Sequence, residues 1–286
     1  MSGVLLGYTN RIDTSTLSGG SWAATLPLTN LKNRVLGKVA RSTDATNAST
    51  KFDINLTNAN VPIRIVSLVN HNFTTAATYR VRGASDAGFT TVLYDSGVKS
   101  VYPSVYLPED LEWEMVNWWS GTPSDEDIQG YTTNLVEITT APTFAQYWRV
   151  EIFDSANAAG YVQVGRVMIC QAWKPTRDAS VGASTGWETT TSMTRALSGA
   201  KYFQAKVPAR STKFSLDVMS VNEAMGNAFE IDRRSGIDKE VMYIMDEADT
   251  LQALRRRYLG TIRELSPIEY PYSNLLSKTY IIDELI

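Results

Sequence analysis

In the stretch "YWRVEIF", Tyr147 to Phe153, large apolar residues take every second position: Trp148, Val150 and Ile152 on one face, Arg149 and Glu151 on the other. Successive side chains leave opposite faces of a sheet, so a period of two is the mark of a half-buried antiparallel strand. Runs of similar character recur from Val35 to Trp173. They predict strands over Lys51 to Leu56, Pro62 to Val69, Thr78 to Gly83, Thr91 to Asp95, Asn134 to Thr139, Tyr147 to Phe153 and Tyr161 to Ile169. Clusters of Gly, Pro, Asn, Asp and Ser between them supply turns. Strand following strand without a helical period predicts an antiparallel sandwich.

Between the strands at Thr91 to Asp95 and Asn134 to Thr139 lies a long insertion, Gly97 to Tyr131, without clear strand character. A connection of that length inside a compact domain is more often a binding or interface loop than a plain link. It carries Trp113, Trp118 and Trp119. Two uses stay open: the rings stack on a sugar or anchor a protein partner, where aromatics give large contact area at low entropic cost, or they roof the sandwich core.

After Trp173 the pattern changes. The stretch "KPTRDASVGASTGWETTTSMTRALSGA" is rich in Ser, Thr, Gly and Ala and reads as an exposed connector. Beyond it, "KFSLDVM" reads as a strand running into a helix, with Ser220 and Glu223 at capping-box spacing and Gly236 as a stop. Val221, Met225, Ala228 and Phe229 would share one face of that helix. Lys239 to Met245, Arg256 to Leu265 and Lys278 to Leu285 read as further strands. The predicted organisation is mainly β: an antiparallel sandwich over residues 1–173, a linker over 174–200, and a small α+β unit over 201–286.

Composition narrows the chemistry. Among 286 residues, 27 basic against 30 acidic side chains leave a net charge of −3, with no large basic field to attract nucleic acid. A single cysteine, Cys170, rules out an intrachain disulfide, and with a single histidine it leaves no thiol–imidazole set for zinc. No cofactor or metal site is expected. The start, "MSGVLLGYTNRID", lacks the basic flank and long apolar stretch of a signal peptide, and no apolar run approaches the ~20 residues that span a bilayer. Synthesis and folding in a cytoplasm are therefore expected.

The single histidine, His71, stands in "SLVNHNF" at the end of an apolar run. Catalysis there needs a nucleophile or carboxylate brought in by the fold and a third orienting group. No G-x-S-x-G motif is present, and "VNHNF" reads more simply as a strand end whose polar side chains bond to loop backbone. Asp125, Glu126 and Asp127 lack the spacing of a calcium loop and, following Pro123 and Ser124, read as a helix start. Glu109 and Asp110 are adjacent in sequence, which does not imply the opposed carboxylates of a glycosidase. Arg255, Arg256 and Arg257 would alternate sides of a strand and form a solvated or interface edge. Asn47, Asn55 and Asn72 begin N-x-[ST] triplets, which mean little without a secretion signal.

The run "VARSTDATNASTKFDINLTNANVPIRIVSLVNHNFTTAATYRVRGASDAGFTTVLYDSG" is similar to the front half of galactose-binding-like, discoidin-type jelly rolls in tail proteins of long-tailed bacteriophages. The matching features are a strand ending in "VNHN", an "ATYRVRG" strand and a hairpin closing in "LYDSG", with "QYWRVEI" and "GYVQVGRVMI" resembling the paired closing strands. The C-terminal stretch, with "YLGTI" and "SPIEYPY", resembles the end of phage tail-tip proteins. The resemblance implies a jelly-roll scaffold or adhesion module with no catalytic residues to carry over. It implies a virion structural protein at the distal tail or baseplate, made in the host cytoplasm. Its partners would be copies of itself and tail tube, hub, tip or fibre proteins. The rival expectations are a carbohydrate- or receptor-binding module, with Trp118 and Trp119 as its platform, and a glycan hydrolase using the acidic loop.

Overall fold

A computed structural model of the chain describes residues 3–115, 117–272 and 274–286. The first eleven strands are β1 (Leu5–Tyr8), β2 (Thr16–Ser18), β3 (Ala40–Arg41), β4 (Phe52–Asn55), β5 (Ile63–His71), β6 (Thr78–Ala84), β7 (Val92–Asp95), β8 (Lys99–Ser100), β9 (Asn134–Thr143), β10 (Tyr147–Phe153) and β11 (Gln163–Trp173). All seven strands predicted before residue 173 are present, with ends displaced by a few residues. They form an antiparallel jelly-roll sandwich, one sheet running β2-β4-β10-β6-β7 and the other ending β1-β11-β5-β9. The alternation in β10 is as expected: Trp148, Val150 and Ile152 are buried against Phe52, Ile54, Val66, Leu68, Val167 and Ile169.

Eight strands follow: β12 (Ser184–Glu188), β13 (Ser192–Arg195), β14 (Lys201–Gln204), β15 (Ala209–Ser220), β16 (Glu240–Ile244), β17 (Arg257–Ile262), β18 (Glu269–Tyr272) and β19 (Leu275–Glu284). The order β12-β15-β19-β17-β16 runs on into β1, so one continuous sheet joins the C-terminal strands to the sandwich. The join is the N-terminal strand itself, in which Leu6 faces Trp173 on one side and Tyr243 on the other. Gly7 allows this close approach, because a Cβ there would stand 2.8 Å from Cys170 Sγ and 2.9 Å from Ile65 Cδ1. Across the join, Leu5, Ile65, Met168, Met242 and Leu259 pack into one cluster. The stretch 174–200, expected to be a connector, carries β12 and β13, and both are exposed at every position.

The helix over 221–235 follows β15 directly and contains a π turn at Ala224–Ala228. Its buried face is Ala224, Ala228, Ile231 and Ser235, so of the four residues grouped on one face Ala228 is buried while Val221, Met225 and Phe229 are exposed. Small alanines let the helix backbone come down on the sheet, where Tyr280 Oη donates to Ala228 O at 3.4 Å; bulkier residues at those positions would hold it off. The capping box is half formed. Ser220 Oγ accepts from Glu223 N at 3.2 Å, but the Glu223 carboxylate accepts instead from Thr176 N at 2.7 Å. Gly236 ends the helix at φ +55.

The arginine run departs from expectation. Arg255 and Arg256 belong to a helical turn, Ala253–Arg256, and only Arg257 enters β17. Its guanidinium donates to the carbonyls of Glu247 at 3.0 Å and Asp249 at 2.7 Å, while Arg256 pairs with Asp249. The run staples its own preceding loop, because free carbonyls at a chain reversal must find donors. No helix among the described residues is long and apolar enough to cross a membrane.

Candidate functional site

The insertion folds into a compact loop. Val105 N and Tyr106 N both donate to Gly121 O, at 2.8 and 3.0 Å, so the two stems meet and 106–121 closes on itself. Gly121 sits at φ +62 with Tyr106 O and Ser104 Oγ where a Cβ would stand, so only glycine makes this closure without displacement. Asp125–Ile128 then forms a helical turn with a full capping box between Ser124 and Asp127, the helix start expected for the acidic run. Burial pushes the Asp127 carboxyl up, but hydrogen bonds from Ser124 and Tyr106 outweigh it and hold it low.

The loop brings the three tryptophans together. Trp113 lies edge-on to Trp118 at 5.3 Å between ring centroids and to Trp119 at 6.4 Å. Trp113 is 68% exposed and Trp119 88%, while Trp118 is half-buried. Rings so exposed do not roof the sandwich core. Glu114, beside Trp113, adopts φ +78, a left-handed conformation that costs a non-glycine residue ~1–2 kcal/mol.

Both stems of the loop border a cleft. A small pocket of about 80 Å³ lies between Tyr102, Val105, Tyr106 and Pro123 on one side and Leu251 and Arg255 on the other. It adjoins a larger cleft of about 610 Å³ whose polar lining includes Tyr79, Lys99, Asn134, Glu137, Glu247 and Arg257. Glu137 is its buried centre. Tyr79 Oη donates to Oε2 at 2.7 Å, while Lys99 Nζ, at 2.7 Å, and Tyr94 Oη donate to Oε1. Burial, and then the neighbouring carboxylate, raise the Tyr79 and Tyr94 hydroxyls well above the usual phenol range, so both are donors at neutral pH. Glu247 accepts from Arg64 at 3.1 Å and from Lys174 at 2.5 Å. Asn134 Oδ1 accepts from Ser67 Oγ at 2.6 Å.

Glu137 and Glu247 are thus each paired with cations, while Arg257 donates to carbonyls. Glu137 is held by one ammonium and two hydroxyls. Lys99, whose side chain is half-exposed, is an accessible donor there. Sequence reasoning missed these residues. One signal was available: Glu137 has the phase of Leu135 and Thr139, both buried in β9, so a carboxylate on the apolar face of a strand was legible.

His71 lies at the end of β5, buried, with its ring stacked on Phe73 at 4.1 Å. Its Nδ1 accepts from Phe73 N at 3.3 Å, and its backbone exchanges two 2.7 Å hydrogen bonds with Thr133 Oγ1. Burial pushes its pKa down to about 3, so the imidazole is neutral at physiological pH. This is the strand end expected of "VNHNF". Cys170 is fully buried in β11, and burial raises its thiol far above the usual range. Among the described residues no group of three or more His, Cys, Asp or Glu side chains is placed to hold a metal ion.

A two-sheet antiparallel jelly roll carrying an aromatic loop defines the architecture, and solved structures of that general kind resemble it. A family 32 carbohydrate-binding module from Clostridium perfringens NanJ, solved with galactose, is 11% identical with a TM-score of 0.37, covering 58% of this chain and 99% of that one. Chitosan-binding module 1 from the chitosanase/glucanase of Paenibacillus sp. IK-5 is 16% identical at TM-score 0.35, covering 57% and 100%. The family 32 module of AlyQ, in complex with 4,5-unsaturated mannuronic acid, is 13% identical at 0.33, covering 57% and 96%. Likeness at this level concerns the type of sandwich only. No family profile matches the sequence, and no curated protein does.

Proposed function

We propose that this chain is a binding module that acts by recognition rather than catalysis, taking a neutral saccharide on the tryptophan loop with the adjoining cleft supplying hydrogen bonds. The observation that carries this is the outward display of Trp113 and Trp119 on a loop folded by its own hydrogen bonds. Flat aromatic faces suit the C–H faces of a sugar ring, and a cleft whose carboxylates are already paired favours hydroxyls over a cationic ligand. A glycan array probed with the full chain, followed by titration calorimetry on the hits, tests it. Trp119→Ala is expected to weaken binding ~30-fold or more, the ~2 kcal/mol typical of a central tryptophan contact. Its melting temperature should stay at the wild-type value, because the ring is exposed. Absence of any saccharide ligand, or equal binding by Trp119→Ala, refutes the proposal.

A second reading is favoured by the sequence resemblance and by the exposed β13–β14 hairpin: a structural component of a phage virion at the distal tail or baseplate, made in the host cytoplasm and joined to other tail proteins. The two are compatible in one adhesive tail component. Mass spectrometry of purified virions from the phage that encodes the chain tests the second, and absence of the chain from those particles refutes it.

A further inference from the structure

The hairpin of β13 and β14 pairs Met193 with Phe203 and Arg195 with Lys201, so these four side chains share one face. Met193 is 53% exposed and Phe203 63%. Arg195 and Lys201 stand directly opposite each other as like charges, and among the described residues neither meets a carboxylate. Like charges in direct cross-strand register destabilise a ladder, and a lone two-stranded hairpin is marginal in water. The other face carries Ser192, Thr194, Tyr202 and Gln204, with Ser192 Oγ donating to Gln204 at 3.2 Å, and bears no charge. The arm therefore has one face, apolar and basic, suited to burial against an acidic, apolar partner.

A surface of that description lies elsewhere on the same chain. Met225, Phe229, Leu265, Ile268 and Tyr270 line an open trough of about 640 Å³. Glu264 and Glu269 border the adjoining depression, facing exposed Lys213; Lys278 there is already committed to Asp232 and Ser266 O. Arg233 in the trough is likewise paired, with Glu230. The arm leaves the sheet beyond the Glu188–Ala209 pair, at the start of β15, whereas the helix bearing Met225 and Phe229 begins after Ser220, at its other end. Twelve strand residues separate the two by about 35–40 Å. In the structure the arm does not fill the trough of its own chain, since Met193, Phe203, Met225 and Phe229 are all exposed.

We infer that the β13–β14 arm of one copy docks in the Met225–Phe229 trough of a second copy, with Arg195 and Lys201 meeting Glu264 and Glu269. Two different patches in contact make a head-to-tail interface, which closes into a ring or propagates as a filament. The inference is independent of saccharide binding and supplies the contact for the assembly reading; a chain that associates this way yet is absent from virions keeps the inference and loses only that reading.

Native mass spectrometry and light scattering of the full chain test it. Wild type is expected to form oligomers, and both an arm variant, Met193→Asp with Phe203→Asp, and a trough variant, Met225→Asp with Phe229→Asp, to be monomeric with unchanged circular dichroism. Mixed together, the two variants retain one intact arm and one intact trough, so heterodimers and nothing larger should appear. Exchanging the charges on both faces, Arg195→Glu and Lys201→Glu with Glu264→Lys and Glu269→Lys, should restore the association that either exchange alone removes. A wild-type chain that stays monomeric up to its solubility limit overturns the inference, as do oligomers that survive both variants or a mixture that yields no heterodimer.

Discussion

Glu240→Gln is the sharpest test of how the two parts of this chain are held. Arg166 lies in the middle of β11 with its side chain fully buried, and Glu240 opens β16 with its carboxylate 3% exposed. Arg166 Nε reaches both carboxylate oxygens, at 3.0 and 3.1 Å, and its Nη2 also pairs with Glu240 and with Asp13 at 2.8 Å. Asn10, just past β1, donates to the same carboxylate and to Val167 O, at 2.5 and 2.9 Å. The network therefore ties strands on either side of β1 across its end. Removing one charge of a buried pair costs about 3–5 kcal/mol when the other is left unpaired; because the partly exposed Asp13 stays with Arg166, the lower end, about 3 kcal/mol, is expected. At roughly 2–4 °C per kcal/mol for chains of this size class, the melting temperature should fall by about 6 °C at least.

The double replacement Arg166→Met with Glu240→Leu removes both buried charges and leaves Asp13, which is partly exposed, to solvent; it should recover most of that loss, because the attraction between buried ions barely repays their desolvation. Urea unfolding of the wild type, both single variants and the pair completes the cycle, with an expected coupling of ~2 kcal/mol or more. If Glu240→Gln lies within about 1 kcal/mol of wild type, or the double variant is no more stable than the singles, the network does not hold the parts together.

Three further outcomes are expected. Gly121→Ala should open the tryptophan loop, costing ~1–2 kcal/mol locally for the left-handed conformation alone; faster proteolysis within 105–121 and weaker saccharide binding are the readouts, and an unchanged digestion pattern would contradict the closure described. His71 binds its proton at about 3 when folded and near the ordinary 6.5 when unfolded, so the unfolded chain holds the extra proton between those values. Stability should then fall as pH drops through that window, by about 1.4 kcal/mol per unit, and His71→Asn should remove this part of the slope in a wild-type-minus-variant comparison. Cys170 should resist a thiol reagent in the native state and react at the rate of unfolding; prompt native labelling would mean that the join at β1 opens readily.

Much of the candidate site was legible along the chain. Three tryptophans in one insertion without a strand pattern, a Pro-Ser start before an acidic run and a histidine closing an apolar strand all depend on near neighbours, and they are found as a loop cluster, a capped turn and a strand end, although β8 lies within the insertion. The cleft was not. Tyr79, Lys99, Glu137 and Arg257 come from four separate segments, and nothing local says that two phenols and an ammonium will converge on one carboxylate.

The strands of the sandwich, and the inward face of β10, follow from the sequence alone, because a period of two is written in adjacent residues, whereas β5 and β11 are buried on both faces and show no such period. Which helix face goes inward did not follow from hydrophobicity: the small side chains of Ala224 and Ala228 decide how near the backbone can lie to Tyr280, and that clearance exists only once β19 is in place. Only the tertiary structure, likewise, inserts β1 between β11 and β16, making one sheet of segments more than 200 residues apart. Backbone pairing carries no label of its partner, so the choice rests on the shape of the apolar surface around Gly7 and on the buried ion pair beside it.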